Sequence, residues 1–345
     1  MVNRMNVLIL GANGFIGSNL SEAILANTNW HIYAIDMAKD KLEKCLGHER
    51  FHFAEGDITL QKEWVTEHIK KCDVVLPLVA IATPAVYVQN PLRVFELDFE
   101  ANLDIIRQCV KFKKRIVFPS TSEVYGMCPD QEFDEETSNL VTGPIHKERW
   151  IYSTCKQLLD RVIYAYGKHH DLAYTLFRPF NWFGPKLDNV FNPKPGGSRV
   201  LTQFIGNILR GEEIVLVDGG AQQRCFAYID DGVSALIKII ENKNNCASNK
   251  IFNIGNPTEN ISIRELAESL VQQIQTYPKY AEAASKTKLV DVSAEKYYGA
   301  GYQDVSLRVP SIRRTEQELG WKPQVQFADG LKKTLDFYLG EVVKS

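Results

Sequence analysis

The most constraining feature of this chain lies near its start: an apolar run, a glycine triplet, an amphipathic stretch, and a second apolar run that ends on an acid. After Asn6, the residues Val7, Leu8, Ile9 and Leu10 are apolar at successive positions, a pattern suited to a strand covered on both faces. The run stops at Gly11, and Gly14 and Gly17 follow at three-residue spacing. From Phe15 to about residue 26, Ile16, Leu20, Ala23, Ile24 and Leu25 recur at helical spacing, and a second strand begins at His31 and ends at Asp36. A strand, a crossing helix and a second strand in so short a span make a parallel βαβ unit.

The same alternation continues. Strands are expected at 51–54, 73–78, 115–119 and 174–178, with helical stretches at 61–70, 92–112 and 150–166. The expectation is an α/β fold with a doubly wound parallel sheet of the Rossmann type, occupying 1–181 and binding a dinucleotide. Residues 182–345 should form a smaller C-terminal substrate-binding lobe, with a segment near 225–256 returning to the sheet. Residues 184–197, rich in Pro and Gly, read as a binding loop or lid. Helices are expected at 199–209 and 263–274, and a strand at 213–217.

Composition excludes several classes of protein. With 40 basic and 42 acidic residues in 345, the net charge of -2 gives no broad field for nucleic acid or an anionic membrane. Seven cysteines without a Cys-x-x-Cys pair, and seven histidines without ligand spacing, point to reduced thiols and to no metal. The first apolar run is too short for a signal peptide or a membrane span, so the expected location is the cytoplasm.

The loop of Gly11, Asn13, Gly14, Phe15, Ile16 and Gly17 would let a pyrophosphate approach the positive end of the first helix. Asp36, about twenty residues further on, can accept ribose hydroxyls and would repel a 2′-phosphate, and Met37 offers no compensating cation. The cofactor expected is NAD. Asp57 and Ile58, after the third strand, are placed to meet the adenine, although Asp57 could equally cap a helix.

Two further segments carry chemistry. Ser120, Thr121, Ser122 and Glu123 follow the apolar run at 115–119, and Tyr152 and Lys156 stand one helical turn apart. Such a Tyr can take the proton of a sugar alcohol as hydride leaves, and a neighbouring cation should lower its pKa toward the working pH. A packed tyrosine with a snorkelling lysine is the alternative for the pair, and a helix-capping carboxylate is the alternative for Glu123. Arg224, after a Gly-Gly turn, suits a pyrophosphate clamp.

Residues 78–84 (LVAIATP), 119–128 (PSTSEVYGMC), 178–182 (RPFNW) and 298–305 (YGAGYQDV) add a resemblance. From residue 6 to residue 339 the chain resembles the extended short-chain dehydrogenase/reductase family, and within it the UDP-glucuronic acid decarboxylase half of the bifunctional polymyxin-resistance enzymes of the aminoarabinose route. The resemblance implies NAD-dependent oxidation of UDP-glucuronic acid at C4, loss of CO2 and formation of UDP-4-keto-pentose. It implies Glu123 as acid/base, Tyr152 and Lys156 as the dehydrogenase pair, and Arg308 as proton donor to C5, an arginine that the sequence alone would leave on the surface. Thr121 and Ser122 would touch the sugar and Arg149 its carboxylate. Ala82, Tyr87, Asn181, Val215, Arg224 and Tyr302 would line the UDP-sugar site. Only residues 1–5 precede the first strand, so the formyltransferase half is expected to be missing. Relatives that make UDP-apiose carry cysteines where this chain has Ala82 and Ser122, which disfavours ring contraction. A homodimer through the helices at 92–112 and 150–166 is implied as well. Ser122, Arg149 and Trp182, taken as facing the sugar, resemble the group that releases NADH. The alternatives are a UDP-xylose synthase that reuses NADH and a catalytically silent NAD-binding sensor.

Overall fold

In β1 (Asn6–Leu10), Val7 and Ile9 belong to one core while Leu8 and Leu10 belong to another, and all four side chains are fully buried. A strand of this kind needs cover on both faces. The computed structural model describes residues 4–192, 198–299, 303, 305 and 307–340 and supplies that cover. On one side of β1 lie β2 (His31–Asp36) and β3 (Phe51–Glu55), and on the other β4 (Val74–Pro77), β5 (Arg115–Pro119) and β6 (Tyr174–Pro179), all paired in parallel. The short strands β7 (Trp182–Phe183), β8 (Ile214–Val217), β9 (Gln223–Cys225) and β10 (Ala227–Tyr228) lie outside this sheet. The chain then returns to it as β11 (Lys250–Ile254), parallel to β6. β12 (Asn260–Ser262) pairs with β9, and β13 (Leu289–Val292) with β8.

The seven strands run in the order β11-β6-β5-β4-β1-β2-β3. The winding reverses between β1 and β4, and at such a switch point the ends of neighbouring strands open a crevice. One face of the sheet is continuous with the C-terminal half of the chain: Ile9, Val117, Phe177 and Ile254 share a core with Leu236, Ile239 and Leu331. Leu8, Ile35, Ile116 and Phe118 on the other face pack with Ile105, Ile106, Leu159 and Ile163. Each such side chain contributes about 1.5–3 kcal/mol by leaving water.

Two expectations change in detail. The helical stretch expected over 92–112 is divided into Pro91–Val94, a π-helical turn at Phe95–Ala101 and a regular helix at Asn102–Phe112. The cause is visible in Asn102, whose Nδ2 donates to the carbonyls of Leu97 and Asp98 at 3.2 Å each and so enters the backbone ladder. The loop expected at 184–197 is fastened over its described part, 184–192. Lys186 pairs with Glu22 and donates to the Lys41 carbonyl at 2.9 Å, and Asn19 Nδ2 donates to the Pro185 carbonyl at 3.2 Å. Residues 193–197 lie outside the described residues.

Candidate active site

The crevice at the switch point is shaped by the glycines. Gly11 has a φ of +91°, and a Cβ there would sit 3.0 Å from both the backbone N and the Cγ2 of Val79. At Gly17 the space is smaller still, since a Cβ would lie 2.5 Å from the Gly11 carbonyl oxygen. The helix Phe15–Asn27 therefore packs tightly on the turn, with Gly14 at its N-cap, no side-chain cap and no acid in its first turn. Its first N–H groups, at Phe15, Ile16 and Gly17, remain directed at whatever lies in the crevice.

Asp36 closes the other end of this cradle. Its Oδ2 accepts the Asn13 N–H at 2.9 Å and its Oδ1 accepts the Ala38 N–H at 3.3 Å, which leaves lone pairs on both oxygens for ribose hydroxyls. Burial raises its pKa, against the N–H groups that favour the charged form. Asn13 is itself held, with Nδ2 donating to Asp40 at 2.8 Å and Oδ1 accepting from Lys41 N–H at 2.8 Å. Asp57 follows β3, but its Oδ1 accepts both the N–H and the hydroxyl of Thr59 at 2.7 Å, which holds its carboxyl below the usual range. Asp57 thus closes a turn onto Thr59 and does not cap the next helix, whose N-cap is Gln61, and Ile58 is half-buried against the core.

The second part of the site sits at the end of β5. Thr121 Oγ1 accepts the Glu123 N–H at 3.2 Å and caps the short turn Ser122–Tyr125, so that the Glu123 carboxylate is not the cap. Instead it pairs with Arg149 at 2.5 Å and with Arg308. Both arginines are buried, at 1% and 6% exposure, which corrects the surface placement suggested for Arg308 by sequence. Arg308 is drawn in because Phe133 grips the chain beyond it, donating its N–H to the Val309 carbonyl at 2.7 Å and accepting the Ser311 N–H at 2.8 Å. Burial works to raise the Glu123 pKa, but Arg149 and Arg308, with Arg224 at longer range, outweigh it and hold the carboxyl at about 2.

Helix Trp150–His170 presents Tyr152, Lys156 and Asp160 inward at four-residue intervals, above Leu159 and Ile163 in the core. The Tyr152 hydroxyl lies beside the Thr121 side chain, and its ring stacks on Tyr87 with centroids 4.7 Å apart. Lys156 is 1% exposed and donates to the Pro119 carbonyl at 2.9 Å. The expected lowering of the Tyr152 pKa is not what the side chains alone produce. Burial drives the phenol well above its ordinary value, and the Asp98 and Glu123 carboxylates push the same way.

Beneath this site lies a buried network that sequence reasoning missed. Ser120 Oγ and Arg178 both donate to Asp160 Oδ2, at 2.7 and 3.1 Å; Arg178 also donates to the Tyr125 hydroxyl, which donates to Asn253 Oδ1, each at 2.8 Å. For Asp160 a signal existed, since it continues the Tyr152–Lys156 spacing by one more turn. Arg178 and Asn253 gave none. Asn253 joins through β11, 128 residues from Tyr125.

The remaining expected residues scatter more widely. Ser122 is buried in the short turn, and Ala82 is exposed. Asn181 adopts a left-handed backbone, φ 42°, and its Nδ2 donates to the Cys225 carbonyl at 3.2 Å. Arg224 stands next in β9, whereas Val215 sits in β8 opposite Val290, in a separate ribbon. Trp182 is a core residue, not a sugar-facing one: it is 7% exposed and its Nε1 donates to the Ile254 carbonyl at 2.8 Å. Tyr302 lies outside the described residues.

Comparison with known proteins gives this geometry a setting. The NAD dependent epimerase/dehydratase family matches residues 7–255. The crystal structure of the PbgP3 protein from Burkholderia pseudomallei is 56% identical, with a TM-score of 0.90, over 99% of this chain and 98% of that one. UDP-glucose 4-epimerase from Thermotoga maritima, solved with UDP-glucose, is similar in fold at 23% identity and a TM-score of 0.78, covering 97% of this chain and 98% of its own. UDP-glucuronic acid 4-epimerase from Bacillus cereus, in complex with UDP-glucuronic acid and NAD, matches at 22% identity and a TM-score of 0.80, over 97% and 99% of the two chains. The family match begins in β1 and ends just beyond β11, so it spans the whole sheet, the glycine cradle and the Tyr152–Lys156 pair: the chain belongs to the NAD dependent epimerase/dehydratase family, and its cofactor is NAD.

Proposed function

We propose that the protein is an NAD-dependent UDP-glucuronic acid decarboxylase. The observation that carries this reading is the convergence of arginines on Glu123, where one carboxylate faces Arg149 and Arg308 directly and Arg224 at longer range. A neutral hexose offers these arginines hydroxyl acceptors but no counter-charge. A hexuronate brings a second carboxylate to them, on the side where Thr121 and Tyr152 meet.

The residues divide the work as follows. NAD, when bound, would supply the hydride acceptor and a positive charge. Tyr152 takes the proton of the C4 hydroxyl, with Thr121 beside it and Lys156 adding positive charge from the next helical turn. The new C4 carbonyl lies β to the carboxylate, so the electron pair of the C5–C6 bond can move to the C4 oxygen as CO2 departs, and a proton then adds at C5. Arg149 and Arg308 orient the carboxylate. As they turn toward it, Glu123 keeps its burial but loses part of the charge that held it near 2, and it becomes able to carry a proton. A guanidinium does not release its proton in proteins, so Arg308 serves through charge and the proton travels by Glu123.

The test is incubation with UDP-glucuronic acid and NAD, following CO2 and NADH together. Release of CO2 in step with NADH is expected; conversion to the C4 epimer without CO2 would overturn the reading. Net oxidation to UDP-4-keto-pentose is the proposed outcome for the hydride. With Trp182 built into the core, it now leans on Ser122 and Arg149. UDP-xylose without NADH would replace it. The same reading takes residues 1–181 as the NAD half and 182–345 as mainly the UDP-sugar half, acting in the cytoplasm. A homodimer is proposed through the helices around 92–112 and 150–166, where Leu92, Leu158 and Tyr164 are exposed. A monomer by light scattering would exclude it.

A further inference from the structure

Asp98 has no part in the scheme above, yet it is fully buried next to the groups that carry the chemistry. It rides on the π-helical turn Phe95–Ala101, which packs against helix Trp150–His170. Departures of this kind from α-helical register recur at functional sites. Its Oδ1 accepts the Ile81 N–H at 2.7 Å, whereas its Oδ2 is buried without a hydrogen-bond partner among the described residues. One turn on, Asn102 Nδ2 donates to the Val79 carbonyl at 3.3 Å. Two polar side chains of one helix thus hold residues 79–81. Val79 is the residue that Gly11 abuts in the cofactor cradle, and Ile81 packs with Tyr87 and Tyr152.

The charges around Asp98 are few. Tyr152, Cys155 and Lys156 face it from helix Trp150–His170, and Tyr87 from the preceding segment. Lys156 is the one cation among them. Lys156 in turn faces Asp98 and Asp160, and Asp160 already receives Arg178 and Ser120 on Oδ2. A lysine buried this deeply loses its proton easily unless a carboxylate stands against it.

We propose that Asp98 is a positioning residue of the dehydrogenase site: it ties residues 79–81 to the π-helical turn that packs on the Tyr152–Lys156 helix, and it supplies the buried counter-charge that keeps Lys156 protonated. The carboxyl keeps some proton affinity of its own, since burial raises it to about 6 against the pull of Lys156. The inference rests on the proposed roles of Tyr152 and Lys156 and is independent of which sugar is bound.

The test uses the full-length protein labelled with 13Cε-lysine, with the Lys156 signal assigned by its loss in Lys156→Met. In Asp98→Asn the amide oxygen can still accept the Ile81 N–H, but the charge is gone. The Lys156 titration should then fall by about one pH unit or more, and Asp98→Glu should restore most of it. If Asp98→Asn does not fold, Asp98→Ser, which also accepts a hydrogen bond without charge, takes its place. An unchanged Lys156 titration in the folded neutral variant would overturn the proposal, whatever substrate the enzyme proves to use. In turnover, the same variant should lose about tenfold or more in kcat on the alkaline side of the pH profile, with KM for the sugar held within about twofold. A uniform loss across pH would also count against the proposal, since a packing defect alone would give it.

Discussion

Asp160, buried, and Glu123, largely buried, are both carboxylates paired with arginine, and their proton affinities move in opposite directions. Around Asp160, burial raises the pKa, and Arg178, the Ser120 hydroxyl and Lys156 recover only part of the loss. Arg178 itself is held charged, because Tyr125 and Asp160 together outweigh its own burial. Around Glu123, burial also raises the pKa, but two arginines in contact and a third nearby reverse the sign and bring it to about 2. The difference is stoichiometry. Asp160 has one arginine and neutral cross-links to Ser120, Tyr125 and Asn253, the composition of a scaffold that fixes strand ends. Glu123 has two arginines in contact and a third nearby, the arrangement proposed above as a receptor for a second carboxylate.

This contrast can be broken first at two tyrosines. Tyr152→Phe in the receptor region should lower turnover by ~10²–10⁴-fold with NAD binding and folding retained. Tyr125→Phe in the scaffold should leave chemistry intact but cost about 1–3 kcal/mol, because Arg178 and Asn253 each lose a buried partner. Steady-state kinetics and denaturant unfolding of both variants decide the matter, and near-normal turnover in folded Tyr152→Phe would remove it from the chemistry.

A second pair separates the arginine clusters. Arg308→Met should reduce CO2 release by ~10²-fold or more, the scale seen when one preorganised electrostatic donor is lost. Its stability should change little, because Glu123 retains Arg149. Asp160→Asn should do the reverse: about 3 kcal/mol of stability lost, because Arg178 is left buried without its counter-charge, and KM for the sugar within about twofold. Exchanged phenotypes would mean that the two regions have been assigned the wrong way round.

How much of this was legible in the sequence follows the same division. The cofactor cradle is local: β1, the glycine turn, the first helix and β2 are consecutive, and the spacing of Gly11, Gly14 and Gly17 determines the packing found at the Gly11 carbonyl. Tyr152 and Lys156 are legible for the same reason, being one turn apart on one face. The sugar side is assembled from segments 26 and 185 residues away from Glu123, and no local pattern announces those pairings. Arg308 entered by family resemblance alone. Trp182 was misplaced because an indole beside a strand end looks the same whether it faces a sugar or a core, and only the Ile254 carbonyl and the close approach of Gly232 decide. Asp98 was hidden by the π-helical turn, which shifts the face that ordinary helical spacing would assign to it.

A smaller effect should appear in acid. The ion pairs of Glu123 contribute stability that is fully present above its unfolded pKa, about 4.3, and is lost as pH falls toward the folded value of about 2. Glu123→Gln should therefore be less stable than the natural protein at pH 7, by on the order of 3 kcal/mol. The gap should close as pH is lowered through that window. A gap that is constant from pH 7 to pH 2.5 would show that Glu123 is not the ion-paired anion described above.

The most direct test of a receptor for a second carboxylate is an affinity ratio, measured by calorimetry on the NAD-loaded Tyr152→Phe protein so that no turnover intervenes. UDP-glucuronic acid should bind at least about tenfold more tightly than UDP-glucose, since a charge-assisted contact contributes roughly 1.5–3 kcal/mol, and Arg308→Met in the same background should shrink that preference. Equal affinities for the two nucleotide sugars, unchanged by Arg308→Met, would contradict the account.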